Sequence, residues 1–527
     1  MVTLKNNEDI TIRENNKKIF ITTPIYYVNA KPHIGHAYTT VVCDVFARFH
    51  RMMGYDVKFS TGTDEHGKKI EQSAVKLNKK PEEFVNEISQ LFRDLLPVLN
   101  ISNDDFIRTT EPRHIKTVQQ FWNKLKEKGY IYLGEYKGWY DIRNEAYFDE
   151  SELIDGKSPL GGEVTYMVEP CYFFKLSAFE DKLLKFYEEN PDFIFPISRR
   201  NEVISFIKQG LQDLSISRTT FSWGIQVPSD PKHVVYVWLD ALTNYLTVNG
   251  YPDEDQNNNE YWRNSLHFVG KEIVRFHALY WPAFLMAVGI NPPKQIISHG
   301  WWLSEGEKMS KSLGNVQDPV KYCKLFGSDA LRYYLLRELP FGADGNFSLN
   351  NFINRYNSVL ANSYGNLCNR VISFISKYCN NTINEPSIKT EEDIDFANQI
   401  KLCIDESFNN IKSYSFHKYL EKLENAFTLA NQYLDSQKPW ILRNSDVKRM
   451  EDVLYITLEQ IYNITKALYP VMPISTEKVL KSVGIEIKSG INIDRKLPDT
   501  INIQTPEVLF PRIDTKDISK FDVYANN

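Results

Sequence analysis

Pro32-His33-Ile34-Gly35-His36 stands between an apolar run, Ile19 to Thr23, and an amphipathic stretch, Ala37 to Met53. The run reads as a buried strand, and Val41, Val45, Phe49 and Met52 of the stretch fall along one helical face. The two histidines therefore sit where a strand hands over to a helix, a place whose free backbone N–H groups and helix dipole favour phosphate. Gly35, without a Cβ, lets a flat ring lie against the backbone, and both imidazoles can donate hydrogen bonds to phosphate oxygens. Gly54 ends the helix and Asp56 to Thr61 reads as a second strand. This completes a β-α-β unit of the kind that builds a parallel sheet.

With 527 residues the chain is too long for one core, and three or four domains are expected. Its 42% apolar and 24% charged residues are those of an ordinary soluble globular protein. No apolar run reaches the length of a membrane span, and Met1 to Lys18 mixes Glu8, Asp9 and Glu14 with Asn and Lys, so a cytoplasmic protein without membrane contact is expected. The six cysteines form no C-x-x-C pair, which reads as free thiols in a reducing compartment. A net charge of −5 argues against coating nucleic acid by bulk charge and leaves room for a local basic groove.

Gly62-Thr63-Asp64-Glu65-His66-Gly67-Lys68-Lys69 nearly matches a P-loop, but Lys69 stands where a Ser or Thr hydroxyl must hold magnesium. Asp64 follows a strand end, where open α/β sheets bind ligands; it caps a helix or pairs with a substrate ammonium, and the two are not exclusive. Residues 129–222, with Gly134, Gly138, Gly156, Gly161 and Gly162 among aromatic segments, look like a β-rich insertion in the crossover. The α/β pattern then resumes: a strand from His233 to Trp238, a helix from Leu239 to Leu246, a strand from Leu266 to Val269, a long helix from Lys271 to Val288, and a strand from Ile296 to Trp302. Trp238 and Tyr245 share one helical side, as do Ile273, His277 and Trp281. Such a face either packs as core or lines a pocket for an apolar ligand with one polar handle.

Gly306-Glu307-Lys308-Met309-Ser310-Lys311-Ser312-Leu313-Gly314 is either a solvated turn or a loop that brings two ammonium groups to a polyphosphate. Beyond Asp329 the pattern is helical: Asp329 to Leu336, Asn351 to Tyr378, Asp393 to Ser413, Phe416 to Leu434 and Arg449 to Leu468. Short polar connections make this a bundle of antiparallel helices. The expected fold is thus α/β: a Rossmann-type parallel-sheet catalytic domain split by a β-rich insertion, followed by an all-α bundle.

The His-Ile-Gly-His corner, the Lys-Met-Ser-Lys-Ser loop and the bundle together resemble a class I aminoacyl-tRNA synthetase. Thr23-Pro24-Ile25-Tyr26-Tyr27-Val28-Asn29, Gly62 to Gly67 and Tyr236-Val237-Trp238-Leu239-Asp240-Ala241 are similar to the methionyl-tRNA synthetase family in particular. The resemblance runs from about Lys18 to the end of the bundle. It implies a tail at 1–17, catalytic halves at 18–128 and 223–305 around the connective insertion 129–222, a loop and stem-contact region at 306–360, and an anticodon-binding bundle with its extension at 361–527. It further implies that ATP, with Mg2+, lies across the corner: His33 and His36 on the phosphates, Gly35 under the adenine, Gly270 and Glu272 at the ribose, and Lys308, Met309, Ser310, Lys311 and Ser312 closing on the phosphates. Asp64 would pair with the methionine ammonium, and Ile25, Tyr27, Trp238, Ala241, Leu242, Tyr245, Ile273, His277 and Trp281 would surround its side chain. A polarizable thioether suits aromatic edges. Asn366, Arg370 and Trp440 stand where the family reads the CAU anticodon of tRNA(Met), by stacking and hydrogen bonding to single-stranded bases.

Many members hold a zinc knuckle in the insertion with C-x-x-C pairs. In this chain Asp141 and Asn144 stand at such a pair and Cys171 is the insertion's one cysteine, so no structural zinc is expected. Without the oligonucleotide-binding module that dimerises some members, the chain is expected to be a monomer. A P-loop phosphohydrolase, a non-catalytic RNA-binding relative and a sister synthetase for leucine, isoleucine, valine or cysteine are the competing readings. Against the sisters stand the missing length for an editing insertion and the missing zinc-thiolate pocket.

The carboxylate of methionine is ionised at neutral pH and needs no general base to attack the α-phosphate. Catalysis then rests on positioning and on cations aimed at transition-state charge, a role that falls to His33, His36, Lys308 and Lys311. His36→Ala or Lys311→Ala is expected to raise the barrier by on the order of 3 kcal/mol, roughly a hundredfold in rate, with methionine binding nearly intact. Unchanged ATP–pyrophosphate exchange in either variant would overturn the assignment.

Overall fold

The computed structural model describes residues 17–141, 146–148, 150–304, 306–309, 315–487, 491–504, 508–514, 516 and 521, with backbone alone at 146, 147 and 308. Its central sheet is parallel, in the order Tyr26–Tyr27, Asp56–Asp64, Lys18–Thr22, Ser265–Gly270, Gln295–His299, Ile194–Phe195. Asp105–Arg108 also pairs with Asp56–Asp64. A sheet covered on both faces needs strands that are apolar throughout, and Phe20, Ile21, Phe59, Phe268, Ile296 and Ile297 are all fully buried. The corner helix spans Ile34–Met52, with Gly54 just beyond its end in the left-handed region at φ 85°.

Gly62, Thr63 and Asp64 belong to the long strand, which removes the P-loop reading because no phosphate cradle forms there. A Cβ on Gly62 would lie 2.0 Å from the Ile107 carbonyl oxygen, so the pairing with Asp105–Arg108 requires glycine.

The insertion is built on a long antiparallel pair, Ile131–Asp141 with Val164–Phe174, edged by Ala146–Phe148 and Leu214–Ser215. It is less separate, and less purely β, than its sequence suggests. Helices Glu180–Glu189 and Ile197–Ile207 flank Ile194–Phe195, which returns to the central sheet and pairs with Ile296 and Ile297. Two residues are too few to show a period of two.

Three expected elements are corrected. The strand placed at His233 to Trp238 is Asp230–Val235, and it lies in a separate antiparallel sheet with Ser217–Arg218 and Gln226–Val227; the helix begins already at Val237 and runs to Val248. The strand Ile296 to Trp302 is broken at Gly300, where a Cβ would meet the Ala343 carbonyl oxygen at 2.2 Å. Gln295–His299 stays in the parallel sheet, while Trp302–Ser304 joins Glu307–Lys308 and Gly345–Phe347. The long helix from Lys271 is a 3-10 turn, then a π-helical stretch Phe276–Tyr280, then an α-helix Trp281–Val288.

The bundle comprises Glu391–Lys412, Phe416–Gln437, Pro439–Ser445 and Val447–Leu468, together with the helical run ending in Asn366–Tyr378. It shares one apolar core with the sheet: Phe46, Phe268 and Phe341 meet Tyr414 of the bundle. At this junction Arg332 is fully buried and donates to Asp44 Oδ2 at 2.6 Å, Val471 O at 2.8 Å, Leu99 O at 3.0 Å and Pro470 O at 2.8 Å. No helix among the described residues is long and apolar enough to cross a membrane.

Asp44→Ala leaves the buried guanidinium without the carboxylate it donates to and is expected to lower the unfolding free energy by about 3–5 kcal/mol in urea titrations. A loss below about 1 kcal/mol would show that the pair does not hold the junction.

Candidate active site

A cavity of about 470 Å³ opens where the strands end. It collects His33, Gly35, His36, Asp64, Gly270, Glu272 and Met309 together with Ile25, Tyr27, Trp238, Ala241, Leu242, Tyr245, Ile273 and His277. Trp281 does not line it. Spacings of four place residues on one face of an α-helix, but the π-helical stretch between Phe276 and Tyr280 takes more residues per turn, so Trp281 is rotated into the core against Phe121, Trp262 and the back of Tyr245.

The corner is a reciprocal cap made by its two histidines. The Gly35 N–H donates to His33 Nδ1 at 3.0 Å and the His33 N–H donates to His36 Nδ1 at 3.1 Å. The Ile34 N–H donates to Gln317 O at 3.2 Å. These helix N–H groups are thus taken up inside the protein, and the expectation that they meet phosphate is corrected. A ring nitrogen that accepts carries no proton, so both imidazoles bear theirs on Nε2. Burial, and then the neighbouring His33, push His36 well below the usual histidine pKa. His36 is therefore a neutral N–H donor rather than a cation. The rings lie 3.9 Å apart, and a Cβ on Gly35 would sit 2.8 Å from His33 Cε1, so the flat ring that needs this glycine is His33 itself.

Asp64 ends its strand, 8% exposed, and does not cap the following helix, which starts after Gly67. Its neighbours are fixed by buried charge. Glu65 receives both arms of Arg108 at 2.7 and 2.9 Å and the hydroxyls of Thr63 and Thr110. Asp240 bonds to His66 Nδ1 at 2.7 Å and His114 Nε2 at 2.8 Å, which joins the Gly62 to Gly67 segment to the helix carrying Trp238 and Tyr245. Although burial opposes ionisation, these histidines hold Asp240 below the ordinary carboxylate pKa.

In the aromatic part of the cavity Trp238 stacks on Phe276 at 3.7 Å and meets His277 edge-on at 6.0 Å. His277 Nδ1 is bonded to Ile273 O at 3.0 Å and Nε2 to the Tyr245 hydroxyl at 2.8 Å. Both ring nitrogens are satisfied within the protein, and burial lowers the His277 pKa to about 4. His277 thus offers a neutral ring to a ligand rather than a free polar handle. Such a wall suits an apolar, polarizable group and penalises one that needs its own hydrogen bonds.

On the opposite side Trp301 donates from Nε1 to Glu272 Oε2 at 2.6 Å, and a Cβ on Gly270 would lie 2.6 Å from the same oxygen. Phe276 and Trp302, two of the aromatic residues crowded into this part of the sequence, also line the cavity, as do Tyr38, Thr39, Asn244, His299 and Gly300, which escaped the sequence reading. Thr39 and Tyr38 carried a signal, lying within one turn of His36. His299 did not, since its pairing with Gly270 in the sheet, its contact with Tyr38 and the 2.9 Å bond between its Nε2 and the Thr39 hydroxyl bring it there. Met309 faces the cavity, the backbone of Lys308 pairs with Leu303, and Ser310, Lys311 and Ser312 lie outside the described residues, as does Asn144.

Far along the chain, Arg370 reaches across to Trp440, its guanidinium 5.5 Å from the ring centroid, and pairs with Asp435 at 2.8 Å. Asn366 is one turn before Arg370 on the same helix. Trp440 is 38% exposed, an aromatic face left open beside a cation.

The family model described as "tRNA synthetases class I (M)" matches residues 19–166 and 148–372, and that of the "Anticodon-binding domain of tRNA ligase" matches residues 393–514. The architecture is accordingly that of a class I aminoacyl-tRNA synthetase. The methionine–tRNA ligase of Rickettsia conorii is 51% identical over 95% of this chain and 100% of that protein; that of Caldanaerobacter subterraneus is 47% identical over 95% of this chain and 80% of its own length. The solved structure of Mycobacterium tuberculosis methionyl-tRNA synthetase in complex with methionyl-adenylate superposes with a TM-score of 0.90 at 42% identity, covering 94% of this chain and 100% of that one. The chain belongs to the methionyl-tRNA synthetase family.

A histidine that folds neutral opposes folding as soon as the unfolded chain can bind a proton. For His277, with a folded pKa of about 4 against 6.5, the stabilisation is complete above about pH 6.5 and is lost as pH falls toward 4. The stability advantage of wild type over His277→Gln is expected to shrink by up to about 3 kcal/mol between pH 7 and pH 4, read from unfolding free energies. An advantage independent of pH would overturn the neutral assignment.

Proposed function

We propose that this chain activates L-methionine with Mg-ATP, giving methionyl-adenylate and pyrophosphate, and transfers the methionyl group to the 3′-terminal adenosine of tRNA(Met). The observation that carries this reading is one cavity that holds the two-histidine corner, the carboxylate of Asp64 and an aromatic pocket in which His277 and Tyr245 are already paired. The names of the relatives support it.

In this reading Asp64 pairs with the ammonium and turns the carboxylate toward the corner, while Trp238, Tyr245, Phe276 and His277 enclose the thioether. A carboxylate oxygen bonds to the α-phosphorus as the bond to the bridging oxygen breaks, and pyrophosphate leaves with that electron pair. His33 and His36 donate Nε2–H hydrogen bonds to phosphate oxygens, Gly270 and Glu272 approach the ribose, and Lys308 and Lys311 supply the positive charge, with Met309, Ser310 and Ser312 beside them. With His36 neutral, the lysines and the magnesium that arrives with ATP offset most of the growing charge. A ribose hydroxyl of the tRNA then bonds to the carboxyl carbon, the carbon–oxygen bond to AMP breaks, and AMP departs as the hydroxyl proton is released. Asn366, Arg370 and Trp440 read the anticodon. The division of the chain at 128, 222, 305 and 360, a cytoplasmic monomer and an insertion without zinc complete the proposal.

Amino-acid-dependent ATP–pyrophosphate exchange, run with each of the twenty amino acids, is expected to proceed with methionine alone. No exchange in folded protein would move the reading to a non-catalytic RNA-binding relative. Trp440→Ala is expected to leave that exchange unchanged and to raise KM for tRNA by about ten- to a hundredfold, the value of one base stacked on an aromatic ring. An unaltered KM would remove Trp440 from the anticodon site.

A further inference from the structure

Among the described residues, the insertion contributes to the active-site cavity through Pro159 and Leu160, and both are exposed. They also line a second cavity of about 560 Å³, which shares Glu272, Phe276 and Trp301 with the first. Pro159 and Leu160 therefore form a lip between the two cavities. Leu160 is 42% exposed, an apolar side chain held out over an opening rather than into a core.

Beside the backbone bridges of Lys157 with Ile154 and Glu163, a buried serine ties the lip to the sheet of the insertion. Ser158 donates its hydroxyl to Asp141 Oδ2 at 2.5 Å, and the Ser158 hydroxyl oxygen accepts from the Gly162 N–H at 3.0 Å. The Ser158 N–H donates to Gly162 O at 2.9 Å and the Gly161 N–H to Ser158 O at 2.8 Å, which closes the turn. Asp141 is fully buried and Ser158 is 2% exposed. Gly162 is packed so closely on the carboxylate that a Cβ there would lie 2.0 Å from Asp141 Oδ2. Asp141 terminates the long strand Ile131–Asp141, so the bond ties the turn to the most regular part of the insertion. A buried carboxylate accepting a hydroxyl bond is a strong and directional tie.

We propose that Asp141 is a positioning residue for the methionyl-adenylate site: through Ser158 it fixes the Pro159–Leu160 lip, which shields the bound adenylate from water until tRNA enters. The proposal rests on the function proposed above. Hydrolysis of an unshielded adenylate joins the water oxygen to the carboxyl carbon, breaks the carbon–oxygen bond to AMP, and releases methionine, AMP and a proton.

The test compares wild type, Asp141→Ala, Asp141→Asn and Ser158→Ala. Methionine-dependent AMP release without tRNA is measured beside ATP–pyrophosphate exchange, together with the rate of tryptic cleavage after the exposed Lys157. Asp141→Ala and Ser158→Ala are expected to raise both AMP release and cleavage by on the order of tenfold, with the turnover number of exchange preserved. Asp141→Asn, which keeps an oxygen acceptor for Ser158, is expected to stay near wild type. AMP release unchanged in folded Ser158→Ala, or Asp141→Asn as leaky as Asp141→Ala, would overturn the proposal. Should Asp141→Ala fail to fold, Ser158→Ala alone decides. Absence of methionine-dependent exchange in wild type would strike the proposed function instead, and cleavage after Lys157 would still report whether Asp141 holds the lip.

Discussion

Arg332 joins the sheet to the bundle with no exposed surface of its own. Burying a guanidinium is tolerable only when its donors are matched, and a carboxylate and the carbonyls of Leu99, Asn100, Pro470 and Val471 converge on it. Asp44 is satisfied in turn by Arg48, by the Ser102 N–H and by the Ser102 hydroxyl. Its carboxyl is held below its ordinary pKa even though burial opposes this, Arg332 and then Arg48 being the main charges responsible. Asp44 lies on the same helix that begins with the two-histidine cap, and Pro470 and Val471 follow the end of the long bundle helix Val447–Leu468. The two-histidine corner and the bundle are therefore fixed to one another through a polar contact that has a direction, in addition to the apolar core that has none.

The site divides its electrostatics in two. In and around the aromatic pocket, His277 is bonded to Tyr245 and Ile273, and Asp240 to His66 and His114, so these groups do not compete for a ligand. Discrimination there comes from shape and from the penalty of leaving a foreign polar group unpaired. At the corner the Nδ1 atoms of both histidines accept backbone N–H groups, which turns Nε2 outward as the donor, and burial holds His36 well below the usual histidine pKa.

Residue spacing made much of this visible. The strand, corner and helix around His33 were legible because a run of apolar residues and a period near four occupy adjacent stretches. The bundle helices were legible because each is long enough to repeat its pattern many times. Shorter elements left no such trace. Ile194–Phe195 enters the central sheet with two residues, and Asp230–Val235 looks like any half-buried strand until its partners place it in a different sheet. At Trp281 a correct reading of the period led to a wrong face, because a π-helical turn is a backbone event that side-chain type does not announce.

By itself the amino-acid sequence determined which chemistry the chain carries: the two histidines three apart, the paired lysines and the carboxylate at a strand end follow from local spacing, and their residue types limit what they can do. Only the tertiary structure decided their state. That the Gly35 and His33 N–H groups end on imidazoles, that His36 and His277 are neutral, and that Asp141 fastens a lip across the cavity all depend on partners and burial. Protonation and hydrogen-bond direction are properties of an environment, and much of that environment is assembled from residues far apart along the chain, whose meeting is set by packing rather than by any pattern in the sequence.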